Sequence, residues 1–190
     1  MEVGDFVLAE LPPPRSRVLE VGCGSGELAA TLAGLGYDVL AVDPQAPDGP
    51  LFRQTTIEEL EDPGPFDAVV ASRSLHHVGD LDAALDKIVT LLRPDGRLVL
   101  DEFAWERLDA RSAQEVGIDF DDWRDEHQDL HTSTSMLTAL EKRFDQQSFS
   151  REPYLHREAR EAVSEERERA LIDSGRLAAT GFRYVGVRRS

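Results

Sequence analysis

A glycine-rich turn lies between a short apolar run and a stretch of good helix formers near the start of the chain. Residues 17–30 read RVLEVGCGSGELAA, and the glycines at 22, 24 and 26 directly follow the apolar residues of 18–21. Glycine reaches backbone dihedrals that other residues avoid, and its lack of a Cβ lets a ligand touch the main chain at the N-terminus of the following helix. The sequence therefore predicts a strand, a turn and a helix, with a cofactor bound at the turn.

The spacing and the charges of this turn favour one class of cofactor. A dinucleotide fingerprint, Gly-x-Gly-x-x-Gly, has a small residue at its third glycine position, where this chain has Glu27. A carboxylate at that position repels a pyrophosphate, and a second carboxylate, Glu20, stands before the first glycine. A ligand with a positive centre and an amino group suits both acids better. An ordinary glycine turn of an α/β fold is the alternative interpretation.

The stretch Glu20–Gly26 resembles motif I of the class I S-adenosylmethionine-dependent methyltransferases, which reads acidic-x-Gly-x-Gly-x-Gly. This resemblance implies that S-adenosylmethionine is the cofactor and S-adenosylhomocysteine the product. It also implies that the motif binds the cofactor through Glu20, Gly22, Cys23, Gly24 and Gly26. Cys23 is interpreted as a small residue between two glycines and not as a reactive thiol.

Two further strand ends carry candidate cofactor residues. Asp43 ends the apolar run 38–43 and is followed by Pro44. It lies about 20 residues beyond the glycine turn, where a carboxylate can accept hydrogen bonds from both ribose hydroxyls. An Asp that only caps the next turn is the alternative. The resemblance implies an adenine site after the third strand, in which Ile57 offers its N–H and Thr56 or Glu58 the acceptor; a helix cap at Thr56 is compatible with this role.

The run 66–72 is nearly all apolar, as is typical of a central parallel strand, and Leu-His-His-Val follows it at 75–78. Together they resemble the small-molecule group of these enzymes that includes ubiquinone and menaquinone methyltransferases. The resemblance implies that the backbone near Ala71 and Ser72 meets the methionine end of the cofactor. His76 is the first candidate for a general base, although a structural role is equally open, and for His77 a structural role is favoured.

The remaining pattern completes an α/β domain. The sequence predicts a helix over 81–92 and strands over 97–103, 144–149 and 181–188, together with a charged, mostly solvated helix over 157–172. The resemblance implies a Rossmann-like class I methyltransferase fold: a seven-stranded, mostly parallel sheet in the order 3-2-1-4-5-7-6 with helices on both faces. Residues 1–190 are expected to form one domain.

Residues 104–143 have a looser pattern and are predicted to form a substrate lid, because they follow a strand whose carboxyl end faces the ligand. Phe120, Trp123, His127 and His131 are the side chains able to shape a pocket, and His131 is the second candidate base. His127 and His131 share a helix face and could bind a metal with an acid, but separate packed and solvated roles are favoured and no metal is expected. The excess of acids here favours a neutral or cationic acceptor.

Charge and composition exclude several partners. The 190 residues carry a formal net charge of −16, and no basic cluster that would bind nucleic acid is evident. No apolar run is long enough to span a membrane, and no signal segment is recognisable, so a cytoplasmic location is expected. A single cysteine excludes an internal disulfide. The oligomeric state is left open.

The predicted function is methyl transfer from S-adenosylmethionine to a small-molecule acceptor. Two alternatives remain at this stage. One is a protein that binds S-adenosylmethionine without transferring its methyl group. The other is a nicotinamide-dependent oxidoreductase, against which Glu27 and the lack of a Tyr-x-x-x-Lys pair both argue.

Overall fold

The chain is described by a computed structural model over residues 3–61 and 64–189. In these residues a seven-stranded sheet has the order β3-β2-β1-β4-β5-β7-β6, which confirms the predicted order. Its strands β3, β2, β1, β4 and β5 are parallel, and β7 is antiparallel to both of its neighbours. The strands are β1 (Arg17–Val21), β2 (Asp38–Asp43), β3 (Phe52–Gln54), β4 (Phe66–Ser72), β5 (Leu92–Phe103), β6 (Phe144–Glu152) and β7 (Gly181–Arg188).

Eight α-helices surround the sheet in the described residues, and two short 3₁₀ turns lie at Leu75–His77 and Trp105–Arg107. The helices are α1 (Val3–Glu10), α2 (Glu27–Gly34), α3 (Leu81–Leu91), α4 (Ala110–Val116), α5 (Phe120–His127), α6 (Ser133–Glu141), α7 (Leu155–Glu158) and α8 (Glu165–Asp173). Among the described helices, none is long and apolar enough to cross a bilayer.

Alternate residues of the central strands enter two different cores. In β1, Leu19 packs in a core with α3 and α6, whereas Val18 packs in a core with α1 and α2. Both side chains are fully buried, and burying each contributes about 1.5–3 kcal/mol. The apolar run of β1 is therefore explained by helices on both faces of a parallel sheet.

A third core lies beyond the carboxyl end of the sheet. It joins Phe103 at the end of β5 to Trp123 of α5, Tyr154 before α7 and Leu171 of α8. The rings of Phe103 and Tyr154 stack at 4.7 Å. This core fixes residues 153–180, which connect β6 to β7 and begin and end beside the paired residues Glu152 and Gly181.

The single helix predicted over 157–172 is wrong. The chain instead forms α7, a turn, and α8, which begins after Ser164 with that side chain accepting a hydrogen bond from the Arg167 N–H. The physical reason is Glu168, which is fully buried and accepts hydrogen bonds from the backbone N–H groups of Tyr154 and Leu155. A charge pattern typical of a solvated helix thus hid an interior carboxylate.

Candidate active site

The glycine turn after β1 has the backbone that its sequence requires. Gly22, Gly24 and Gly26 have φ angles of +74°, +49° and +80°, in the left-handed region that favours glycine. A Cβ at Gly22 would lie 2.2 Å from the Ser74 Cβ, whereas a Cβ at Gly24 would meet no atom within 4 Å. The turn is therefore packed against Ser74 on one side and open on the other.

The acid before this turn is buried with an unused acceptor. Glu20 is 4 % exposed, and its Oε2 has no hydrogen-bond partner among the described residues. Burial, with a smaller contribution from the negative charge of Asp43, raises the pKa of Glu20 to about 7. An ammonium group would satisfy this oxygen and favour the charged carboxylate, so the residues present fit the amino group of S-adenosylmethionine.

Asp43 lies at the end of β2 next to the glycine turn. Its Oδ2 accepts a hydrogen bond from the Gly24 N–H at 3.0 Å, and its Oδ1 accepts one from the Gln45 N–H at 2.7 Å. A carboxylate oxygen has a second lone pair, so each oxygen can also accept from a hydroxyl group. The carboxylate is thereby oriented for a diol, as the ribose prediction requires.

Asp43 and the predicted adenine residues line the same cavity, which has a volume of about 230 Å³. It is lined by Pro44, Thr56, Ile57 and Glu58 as well as by Asp43. The Thr56 hydroxyl also accepts a hydrogen bond from the Glu59 N–H at 3.3 Å, so the helix-cap geometry coexists with a position on the cavity.

A second cavity of about 730 Å³ adjoins the first and shares Asp43 with it. The predicted cofactor residues on its wall are Glu20, Gly22, Cys23, Gly24, Asp43 and Ser72. Gly26 and Ala71 line neither cavity. Gly26 is needed for packing, since a Cβ there would lie 2.5 Å from the Phe52 ring, and Ala71 is fully buried within the sheet.

Cys23 does not have the environment of a nucleophile. Burial raises its pKa to about 11, and the charges of Glu20 and Asp43 contribute in the same direction. In the part of the chain that the structure describes, no group of three or more His, Cys, Asp and Glu side chains could hold a metal ion.

A buried carboxylate orients His76 on the wall of the larger cavity. The Nδ1–H of His76 donates to Glu102 Oε2 at 2.6 Å, and Glu102 Oε1 accepts from the backbone N–H groups of Ser74 and Leu75. Glu102 is fully buried. With Nδ1 protonated, a neutral imidazole keeps Nε2 as its acceptor, and Nε2 makes no hydrogen bond within residues 3–61 and 64–189. This arrangement suits a proton acceptor.

The structure does not place His131 at this cavity. Its Nε2–H donates to the Val78 carbonyl at 2.9 Å, and the residue lines a separate polar groove beside α3 and α6. Phe120 and Trp123 belong to the core around Phe103, and His127 stacks on Trp123, whose carbonyl accepts a hydrogen bond from the His127 Nδ1–H. No residue of 104–143 lines either of the two cavities, and the role of this segment as a lid stays a prediction.

Part of the lining of the larger cavity comes from residues that the sequence did not single out. Arg73 follows β4, Tyr154 precedes α7, and Arg157, Glu158 and Arg160 lie in or after α7; all five line the larger cavity. Val3 and Gly4 of α1 lie at its rim. In the sequence, two consecutive acids after an apolar run, Asp101 and Glu102, were a signal of this part of the cavity. In the structure, Asp101 binds Arg157 and Glu102 binds His76.

Arg157 is held on the wall by an ion pair that reaches the sheet. Its Nη1 donates to Asp101 Oδ2 at 2.9 Å, and Asp101 Oδ1 accepts from the Arg183 Nε at 2.9 Å. Asp101 and Arg183 are both buried, and Nη1 of Arg183 lies 3.9 Å from Oε2 of Glu152. Since unpaired charges are costly in such surroundings, this network fixes α7 against β5 and β7.

Residues 2–149 match the family described as "Methyltransferase domain". The chain is 38 % identical over 112 residues to a ubiquinone biosynthesis O-methyltransferase of Xanthomonas campestris pv. campestris, an alignment that covers 50 % of this chain and 46 % of that protein. The chain thus spans about half the length of the curated relatives that it matches.

Solved structures show the same fold at low identity. A methyltransferase from Mesorhizobium loti has a TM-score of 0.65 at 20 % identity, with 96 % of this chain and 95 % of that chain covered. The 1,6-didemethyltoxoflavin-N1-methyltransferase of Burkholderia thailandensis, with its substrate and S-adenosylhomocysteine bound, has a TM-score of 0.64 at 19 % identity, covering 98 % and 76 %. With the family match over most of its length, the chain belongs to the methyltransferase domain family, of the class I S-adenosylmethionine-dependent type.

Proposed function

We propose that this protein transfers the methyl group of S-adenosylmethionine to a small-molecule acceptor. One observation carries the proposal: the unpartnered Oε2 of buried Glu20 lies beside an open glycine turn and a diol-oriented Asp43. When bound, S-adenosylmethionine supplies a methyl group already activated by the sulfonium. The relatives named above include a ubiquinone biosynthesis O-methyltransferase and a 1,6-didemethyltoxoflavin-N1-methyltransferase, which supports a small-molecule acceptor.

The residues that line the two cavities have two tasks, binding the cofactor and positioning the acceptor. Glu20 and Asp43 hold the amino group and the ribose, and the cavity at Ile57 accommodates the adenine. The part of the larger cavity lined by Tyr154 and Arg157 positions the acceptor and excludes water. Positioning and exclusion of water are the main requirements when the methyl donor is already activated. Where the acceptor must lose a proton, Nε2 of His76 accepts it and Glu102 stabilises the imidazolium.

The charge of the acceptor has to be argued from the residues that line the cavity. The sequence favoured a neutral or cationic acceptor because residues 104–143 are rich in acids. Those side chains do not line the cavity, so this expectation loses its basis. The lining of the larger cavity instead includes three arginines, Arg73, Arg157 and Arg160.

Binding of the cofactor product tests the first step. We expect S-adenosylhomocysteine to bind the wild-type protein in calorimetry, and Asp43→Ala to weaken binding by about 1.5–3 kcal/mol for each hydroxyl bond lost. Asp48→Ala is the matched control, because Asp48 lines neither cavity. Equal affinity of folded Asp43→Ala and wild-type protein would remove Asp43 from the site, and no binding to the wild-type protein would refute the proposal.

Turnover with labelled S-adenosylmethionine tests the second step. A panel of phenols, amines and thiols should contain methylated acceptors. With a hydroxyl acceptor, we expect His76→Gln to lower kcat by about 100-fold or more at unchanged S-adenosylhomocysteine affinity. His127→Gln is the control, since His127 lines neither cavity and stacks on Trp123. An unchanged pH profile and kcat in His76→Gln would exclude His76 as the base.

A further inference from the structure

Arg73 follows β4 and lies in the chain next to a residue that packs on the glycine turn. That residue is Ser74, whose Cβ lies 2.2 Å from the position that a Cβ at Gly22 would occupy and whose hydroxyl donates to the Val21 carbonyl at 2.8 Å. The N–H of Arg73 donates to the Asp101 carbonyl at 2.9 Å. The backbone from which the Arg73 side chain extends is therefore fixed between β1 and β5.

The guanidinium of Arg73 is available to a ligand. Its side chain is exposed and, among the described residues, makes no hydrogen bond or ion pair. It lines both cavities, as Gly22 and Asp43 do. By comparison, one nitrogen of the Arg157 guanidinium is already in an ion pair, and the Arg160 Nε donates to a backbone carbonyl. Within the described chain, Arg73 is thus the arginine of the larger cavity whose side-chain donors are all uncommitted.

The backbone at Arg73 has a conformation that glycine adopts more readily. Its φ is +56°, in the left-handed region. A residue with a Cβ is disfavoured there, and residues held in such conformations cluster at ligand sites. The turn alone would form more easily with glycine, so the guanidinium is the feature that explains an arginine at this position.

The cofactor ends in an amino acid group that carries both charges. Its ammonium and its carboxylate are bonded to the same carbon atom, so a residue that binds the carboxylate has to reach the surroundings of the ammonium. In the proposed function Glu20 binds the ammonium. Glu20 pairs with Val70 in the register of β1 and β4, Arg73 lies three residues beyond Val70, and Glu20 and Arg73 line the same cavity. A negative and a positive side chain thus lie on neighbouring strands or directly after them, as recognition of an amino acid requires.

The N-terminus of α2 is a less suitable site for this carboxylate. Helix N-termini attract anions, but Glu27 stands in the first turn of α2 and lines the larger cavity. One N–H of the glycine turn, that of Gly24, already donates to Asp43. The negative charges of Glu27 and Asp43 oppose a carboxylate at this place, whereas a guanidinium binds a carboxylate through paired, charge-assisted hydrogen bonds.

We propose that Arg73 binds the carboxylate at the methionine end of the cofactor while Glu20 binds its amino group. The two side chains together select the intact amino acid group. Arg73 is then a specificity-determining residue, which distinguishes S-adenosylmethionine and S-adenosylhomocysteine from related nucleosides that lack the carboxylate. This inference rests on the proposed function and deepens it, because it assigns a further residue to the same cofactor site.

Three ligands titrated into the wild-type protein and its variants test the assignment. They are S-adenosylhomocysteine, its decarboxylated analogue, in which a hydrogen atom replaces the carboxylate, and methylthioadenosine, which lacks the amino group as well. In calorimetry at fixed pH and ionic strength, we expect Arg73→Gln to weaken binding of S-adenosylhomocysteine about tenfold or more and to change binding of the other two ligands less than about threefold. Unchanged binding of methylthioadenosine would show that the variant is folded and keeps its adenosine site.

Further variants separate Arg73 from the other arginines. Arg73→Lys keeps the charge without the planar donors, so it should lose less affinity for S-adenosylhomocysteine than Arg73→Gln. Arg111→Gln, at an exposed arginine outside both cavities, should change binding of none of the ligands. Arg157→Gln and Arg160→Gln should show no loss that is specific to the carboxylate.

Two results would overturn the inference. One is an equal loss of all three ligands in Arg73→Gln, which would indicate a structural role. The other is a loss specific to the carboxylate in Arg157→Gln or Arg160→Gln without one in Arg73→Gln. Failure of the wild-type protein to bind S-adenosylhomocysteine would refute the proposed function, whereas binding that Arg73→Gln leaves unchanged would refute this inference alone.

Discussion

Burial makes the ionisation of Glu20 energetically costly, and the proposed contact with the amino group of the cofactor would remove that cost. Its carboxyl is 4 % exposed, Oε2 has no partner among the described residues, and its pKa is about 7. Glu20→Gln keeps the size of the side chain and removes the charge. We expect this variant to be more stable than the wild-type protein at pH 8 in the absence of ligand, and to lose S-adenosylhomocysteine binding.

The magnitude follows from proton linkage. The pKa of Glu20 rises from 4.5 to about 7 on folding, so between these values the unfolded chain releases a proton that the folded protein retains. The contribution of this carboxyl to folding is fully present below pH 4.5 and is lost as the pH rises to 7. At 1.36 kcal/mol per pKa unit, the loss is ~1 kcal/mol at pH 5.5 and ~3 kcal/mol at pH 8.

Urea unfolding of the two proteins at pH 5.5 and pH 8 measures this loss. The free energy of unfolding of Glu20→Gln minus that of the wild-type protein should be ~2 kcal/mol larger at pH 8 than at pH 5.5, because Glu20 is the group whose proton binding differs between the two proteins over this range. Glu27→Gln is the control: this acid lines the same cavity but is exposed, so its difference from the wild-type protein should not vary in this way.

Two results would refute this reasoning. A difference that stays constant between pH 5.5 and pH 8 would mean that the Glu20 charge is already compensated in the folded protein. A Glu20→Gln protein that S-adenosylhomocysteine stabilises as much as the wild-type protein would mean that Glu20 does not hold the amino group.

Three further outcomes are expected. S-adenosylhomocysteine affinity should rise about tenfold from pH 6 to pH 8 in calorimetry, with a proton released on binding at pH 6, since Glu20 must ionise; a flat profile would contradict this. Gly22→Ala should be destabilised by about 2 kcal/mol or more in urea, and clearly more than Gly24→Ala, whose Cβ meets open space; equal losses would disprove the packing argument. At pH 8, Cys23 should react with iodoacetamide more than about a hundredfold slower than free cysteine, and rapid labelling would show a lower pKa.

The sheet, the glycine turn and the position of Asp43 could be predicted, because the sequence patterns that indicate them involve neighbouring residues. The φ angles of Gly22 and Gly24, the acid at the end of β2 and the apolar strands each follow from neighbouring residues. Strand order 3-2-1-4-5-7-6 came from the resemblance and is confirmed. The apolar and polar run 51–56 predicts the third strand, but the strand is confined to Phe52–Gln54, and residues 57–59 form a turn.

The contribution of Tyr154, Arg157 and Arg160 to the larger cavity could not be predicted, because the contacts that position them join residues distant in sequence. Arg157 reaches the cavity only through Asp101, and α7 is fixed by Glu168 and by the stack of Tyr154 on Phe103. In the sequence, the region around Arg157 and Glu168 has the periodicity and charge of a solvated helix. Residues 104–143 looked more suitable because they carry Trp123, His127 and His131. Trp123 and His127 instead pack against each other beside Phe103, and His131 lies at a separate groove.

Residues 153–180, which carry Tyr154, Arg157 and Arg160 of the lining of the larger cavity, leave the sheet and return to it at one place. Glu152 and Gly181 face each other across β6 and β7, so residues 153–180 form a loop with closed ends. Lengthening such a loop costs little entropy, and its changes do not shift the register of the strands. Meanwhile the glycine turn, Glu20 and Asp43 belong to the other half of the sheet. Residues 153–180 can therefore change in length or sequence without moving the glycine turn, Glu20 or Asp43.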